Sequence, residues 1–169
     1  MIPVQVLAVQ YLANAAPGLC AGLGIPPGFP SLAMLTTDCD DATYIALDAA
    51  TKAAEVEAAY ARSFYAGSAN ASTPNAGEVI GILAARTPDA ARSGMEAVLR
   101  TLEQVGFEDL DGVPCLAHTV SSVGSFLAAE AGVPLGSAVA YLIAPPLEAM
   151  FALDEALKAA DVILAKLYA

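Results

Sequence analysis

Three aspartates and a cysteine fall in four consecutive positions, Asp38, Cys39, Asp40 and Asp41, inside "TTDCDDATYIALDAATKAA". Carboxylates this close can coordinate a metal, exchange a proton, accept the free N–H groups at a helix start, or face a positive ligand. A calcium loop needs ligands at alternating positions, a central glycine and a closing glutamate, and "DCDDATYIALDA" lacks that glycine. A transition metal wants histidine or cysteine beside the acids. Cys39 is adjacent, but the single histidine, His118, lies far along the chain in the apolar run "CLAHTV", where a hydrogen-bonded structural role fits better. Capping by Asp40 or Asp41 is worth about 0.5–2 kcal/mol, yet it needs only one of them. Surplus carboxylates at such a turn can instead face an ammonium group. Each pairing at about 4 Å is worth roughly 1 kcal/mol in water and several times more where water is scarce.

Catalysis finds less support. There is no GxSxG, HExxH or P-loop, and a Ser–His–Asp arrangement would have to recruit His118 without a local signature. Cys20, Cys39 and Cys115 are widely spaced with no CxxC pair. That is neither a disulfide framework nor a zinc site, and it points to free thiols in a cytoplasmic protein. The expectation is a protein that is not an enzyme and calls for no cofactor or metal.

The acidic turn needs a strand before it and a helix after it. Apolar residues 32–37 predict the strand, and Tyr44, Leu47, Ala50 and Ala54 predict a helix over 41–54 with one buried stripe. Upstream, 3–12 reads as a strand and 13–23 as a short helix before a Gly/Pro turn. Downstream, 56–67 and 77–85 read as a hairpin around a Ser/Asn/Pro loop. A helix over 87–104 follows, with Thr87 as N-cap and Pro88 at the first helical position. The expected class is α+β, helices packed on one face of a mainly antiparallel sheet.

The chain also repeats itself. "ALDAATKAAEVEAA" from Ala46 lies over "ALDEALKAADVILA" from Ala152 at a shift of 106, and "GIPPG" from Gly24 lies over "GVPLG" from Gly132 at a shift of 108. Two matches in one order at nearly one shift point to duplication. The first unit is expected over 1–107 and the second over 108–169. The second runs from about Val113 through the turn, a strand in "SAVAYLIAP", a helix and "VILAKLYA", read as an unpaired apolar strand edge. Applied to Gln104, the shift puts the end of a full second copy near position 210. The second unit is therefore expected to lack its last strand and helix, as part of a longer chain. Asp38, Asp40 and Asp41 fall opposite Ala144, Pro146 and Leu147, beside a lone Glu148. The helix is kept in both copies and the acidic cluster is not, so capping alone does not account for the cluster.

Charge bounds the partners. With 7 basic residues against 18 acidic ones, the net charge of −11 argues against nucleic acid and suits cations. At 57% hydrophobic and 15% charged, the chain is too apolar for disorder, and its scarce polar surface suggests burial between subunits. Residues 1–37 carry no basic start before Asp38 and are broken by Pro3, Pro17, Pro26, Pro27 and Pro30, which fits neither a signal peptide nor a membrane span.

"DCDDATYIALDAATKAAEVEAAYARSFYAGSANASTPNAGEVIGILA" and "AYLIAPPLEAMFALDEALKAADV" resemble the ethanolamine-utilisation shell proteins of bacterial microcompartments, the EutL type. The resemblance implies tandem permuted shell (BMC) domains. It also implies a flat homotrimer, a pseudohexamer, that tiles with other shell proteins around a cytoplasmic microcompartment. It further implies pores passing small molecules such as ethanolamine, with larger cofactors as a second class of passenger. On the same basis the small-pore lining maps to Asp40, Asp41, Tyr65, Glu78 and Phe107, with Glu148 beside them. A soluble small-molecule-binding or sensor domain built from the duplicated unit is the alternative, and a trimerising enzyme subunit is a weaker third.

Overall fold

The structure, a computed structural model, describes residues 1–63 and 79–167. Chain order is β1 (Ile2–Pro3), β2 (Val6–Leu12), α1 (Pro17–Gly22), β3 (Ser31–Thr37), α2 (Asp40–Ala53), β4 (Val56–Ser63), β5 (Val79–Ala85), α3 (Pro88–Leu102), β6 (Gly106–Leu110), β7 (Val113–Val120), α4 (Ser125–Ala131), β8 (Val139–Ile143) and α5 (Pro146–Ala159). Every strand pairing among the described residues is antiparallel, in two four-stranded sheets ordered β2-β3-β5-β4 and β1-β6-β7-β8.

β3 is central in the first sheet and nearly all buried, as its unbroken apolar run requires. Ala33 and Leu35 point to the face covered by α2 and α3, with Leu83, Met95 and Val98. Leu32 points to the other face, where Ala15, Ile25 and Phe29 of the α1 corner cover it with Ile82 and Ala84. Thr87 caps α3, its hydroxyl accepting the Ala90 N–H at 3.2 Å, with Pro88 in the first turn.

The duplication is written in the backbone. Gly24 and Gly132 both have φ of 68°, and Gly28 and Gly136 have 88° and 82°. These left-handed positions favour glycine and turn both corners alike. The Ala15 N–H donates to the Pro30 carbonyl at 2.7 Å, and the matching Val123 N–H donates to Ser137 at 2.9 Å. The run β2-α1-β3-α2 thus recurs as β7-α4-β8-α5.

Four elements differ from the sequence reading. The expected first strand is two: β1 pairs with β6 in the second sheet while β2 pairs with β3 in the first. The short helix starts at Pro17 rather than 13, because the residue before a proline is driven to extended backbone, as at Ala16 (φ −61°, ψ 139°). β6 was not expected; it joins β7 through Asp111 (φ 56°) and Gly112 (φ 87°), a two-residue hairpin turn. "VILAKLYA" forms no strand over 162–167, since no described strand lies beside it to share hydrogen bonds; Lys166 instead pairs with Glu130 of α4 at 2.6 Å.

Candidate functional site: an acidic turn and the helix joint behind it

β3 ends at Thr37, and a buried threonine pair fixes the turn that follows. The Thr37 and Thr43 hydroxyls meet at 2.7 Å, and both contact Cys39, whose carbonyl accepts from each at 2.9 Å. Cys39, not an aspartate, is the N-cap of α2, and no side chain caps it. The three aspartates therefore have separate tasks. Asp38 accepts the Gln5 N–H at 2.8 Å while its own N–H donates to the Gln5 carbonyl at 3.2 Å, clamping the turn to the start of β2. Asp40 accepts the Asp41 N–H at 2.9 Å and the Ser63 hydroxyl through its other oxygen. Ser63 in turn meets the Tyr44 hydroxyl at 2.9 Å. Asp41 is half-buried beside them.

The electrostatics are one-signed. Burial, then the charge of Asp40 and a hydrogen bond with it, then Glu130, push the Asp41 carboxyl up to about 6. Burial also pushes the Cys39 thiol up to about 11, and the three aspartates add to that. A neutral thiol at pH 7 is a poor nucleophile and metal ligand. Tyr44 is raised by burial as well, against the lowering effect of its Ser63 hydrogen bond. Among the described residues no lysine or arginine pairs with Asp40 or Asp41. The turn is thus a pair of acids held at a half-buried position, with no basic side chain among the described residues paired to them.

The other proposed lining residues are scattered or undescribed. Phe107 lies in β6, in register with Ile2 and packed on the core margin. Glu148 is exposed in the first turn of α5. No hydrogen bond or ring contact among the described residues joins either to the acidic turn. Tyr65 and Glu78 lie outside the described residues. His118 sits in β7 opposite Tyr141, half-buried in the second sheet.

Behind the turn stands a carboxylate that the sequence reading did not single out. Asp48, fully buried in α2, accepts the N–H groups of Gly124 (2.7 Å) and Leu127 (2.9 Å) at the start of α4, in the second unit. Lys52 pairs with Asp48 at 3.1 Å and donates to the Ser122 carbonyl at 2.7 Å. Tyr44 packs on Phe126, ring centroids 5.8 Å apart. A Cβ on Gly124 would stand 2.8 Å from the Asp48 carboxylate, so only glycine lets the helices come this close. The sequence signal was available: an Asp–Lys pair at i, i+4, placed in a buried stripe and kept in both copies as Asp48–Lys52 and Asp154–Lys158.

No family model matches the chain. Its curated relatives are explicit. A bacterial microcompartment shell protein EutL of Clostridium perfringens is 52% identical over all of this chain and 80% of its own length. The chain belongs to the EutL family of bacterial microcompartment shell proteins. A EutL of Salmonella typhimurium is 44% identical, over 97% of this chain and 77% of its own length. The crystal structure of ethanolamine utilization protein EutL from Leptotrichia buccalis superposes with a TM-score of 0.87 at 49% identity, covering 95% of this chain and 76% of that one. The mixed α/β architecture, with its tandem arrangement of antiparallel sheets and helices, is that of EutL. The relatives are structural shell proteins, and the role that comes with EutL membership is a microcompartment shell role. No described helix is long and apolar enough to cross a membrane.

Proposed function

We propose that the chain is a pore-forming subunit of the shell, assembled as a homotrimer of tandem shell domains (1–107 and 108–169) and tiled with other shell proteins in the cytoplasm. Small amines of the ethanolamine type pass its pores, and it catalyses nothing. The observation that carries the pore reading is the Asp40–Asp41 pair. It is half-buried, lacks a basic partner among the described residues, and stands where the repeat has Pro146 and Leu147. A protein keeps two carboxylates under mutual repulsion most readily where a passing cation relieves it. The Ser63–Tyr44 chain holds Asp40 in place, leaving Asp41 as the charge to be met. Tyr65, Glu78, Phe107 and Glu148 are proposed on resemblance as the rest of the lining.

Calorimetry with ethanolamine tests this reading. Asp40→Asn and Asp41→Asn are each expected to weaken binding about three- to ten-fold. Unchanged affinity in both variants would remove the acidic turn from the pore.

A further inference from the structure

We propose that Tyr44 is a positioning residue for the acidic pair. Acting through Ser63, it fixes Asp40 as the carboxylate that keeps its charge and leaves Asp41 as the one that exchanges a proton. The proposal rests on the amine reading for the use of this division, and it specifies how that site answers to pH.

The hydroxyl hydrogens leave one arrangement. An ionised carboxylate only accepts, and a serine carries a single O–H. Ser63 gives its hydrogen to Asp40 Oδ2, so in its 2.9 Å contact with Tyr44 the phenol is the donor. Burial raises Tyr44 above its ordinary value, so the phenol stays protonated and able to donate at neutral pH. The Asp41 N–H donates to the other oxygen, Asp40 Oδ1, at 2.9 Å. Donors to a carboxylate favour its charged form, and a donor chain polarises each of its members. Asp41 stands in the opposite setting. Among the described residues its carboxyl meets the Asp40 carboxyl and no N–H or hydroxyl donor.

Tyr44 is in turn held by the second unit. Its ring packs on Phe126 of α4, centroids 5.8 Å apart and planes tilted by 54°. Asp40 and Tyr44 are four residues apart on α2 and share a face, while Ser63 closes β4. The other titratable groups at the turn are Asp38 and Cys39 beside the pair and Glu130 on α4, which is paired with Lys166. Cys39 and Tyr44 are both pushed upward by burial, so neither exchanges a proton near pH 6.

The repeat supplies a control. At the shift of 106, Asp40, Tyr44 and Ser63 fall opposite Pro146, Met150 and Ala169. The helix position of Tyr44 therefore accepts an apolar side chain, and both hydroxyls of the chain occur in the unit that has the acids.

A carbon-13 titration of the full chain, labelled at its aspartate carboxyls, reads the division without any amine. In the parent, Asp41 is expected to carry the step near pH 6 and Asp40 to stay flat across it. Tyr44→Phe keeps the ring against Phe126 and removes only the donor, and Ser63→Ala removes the link. Each is expected to raise the Asp40 share of that step about three- to ten-fold. A tyrosine that served packing alone would leave the shares unchanged in Tyr44→Phe. Unchanged shares in both variants, or Asp40 titrating alongside Asp41 in the parent, would overturn the proposal and leave the amine reading standing. Ethanolamine binding indifferent to Asp40→Asn and Asp41→Asn would remove the amine reading instead, and the carboxyl titration would still decide the role of Tyr44.

Discussion

Asp41 pays for its position in protons, and the sign of that cost can be checked. Its carboxyl, near 3.8 in an unfolded chain, is raised to about 6 in the fold. Between those values the native state holds a proton the unfolded state has lost, so this group's contribution falls as pH rises from 4 to 6 and then levels. Asp41→Asn removes that slope. In paired denaturant titrations, the variant is expected to gain stability over the parent between pH 4 and 7, by on the order of 1 kcal/mol after solvent screening. A constant difference would show that the raised carboxyl is not what shapes stability there. The same titration governs amine binding, which should weaken as pH falls from 7 to 5 in the parent and lose that dependence in Asp41→Asn. The acidic turn was legible in the sequence as a cluster. Its division of labour was not, because the partners of Asp38 and Asp40 are Gln5 and Ser63, remote in the chain and without any local signature.

At the scale of elements, the joint between α2 and α4 ties the two units together. Asp48→Ala would leave the Gly124 and Leu127 N–H groups buried without a partner, and it would remove the ion-pair partner of Lys52, which keeps only its bond to the Ser122 carbonyl. The expected loss is about 3 kcal/mol in chemical denaturation. Gly124→Ala is expected to cost about 1–3 kcal/mol by forcing the helices apart. Equal stability for both variants and the parent would mean that the units do not depend on this contact. Periodicity found α2 and α3 because their buried stripes repeat at helical spacing. It passed over β6, although "LDGV" carries the Asp–Gly signal of a tight hairpin, since "GFEDL" is too short and too polar to read as a strand. It merged β1 with β2 because only Val4 and Gln5, with no glycine or turn signal, separate them; their assignment to different sheets depends on Gly106, where a Cβ would stand 2.5 Å from the Ile2 carbonyl oxygen.

On the scale of the whole molecule, the second unit of the duplication exposes apolar surface that the first unit buries. The first unit has α2 and α3 over its sheet, while α5 exposes Leu147, Met150, Phe151 and Leu157. Exposed apolar area of this kind marks a surface meant to be covered. The tandem arrangement is legible in the sequence, because turn glycines and an alanine-rich helix both recur in order. Assembly was not visible in that way, since the contact partners of a subunit surface leave no period in a single chain. The most direct test of a tiling, pore-forming shell subunit is the mass and form of the purified protein in solution, by light scattering and electron microscopy. Trimers that associate edge to edge into flat sheets are expected; a strict monomer at all concentrations would contradict the account.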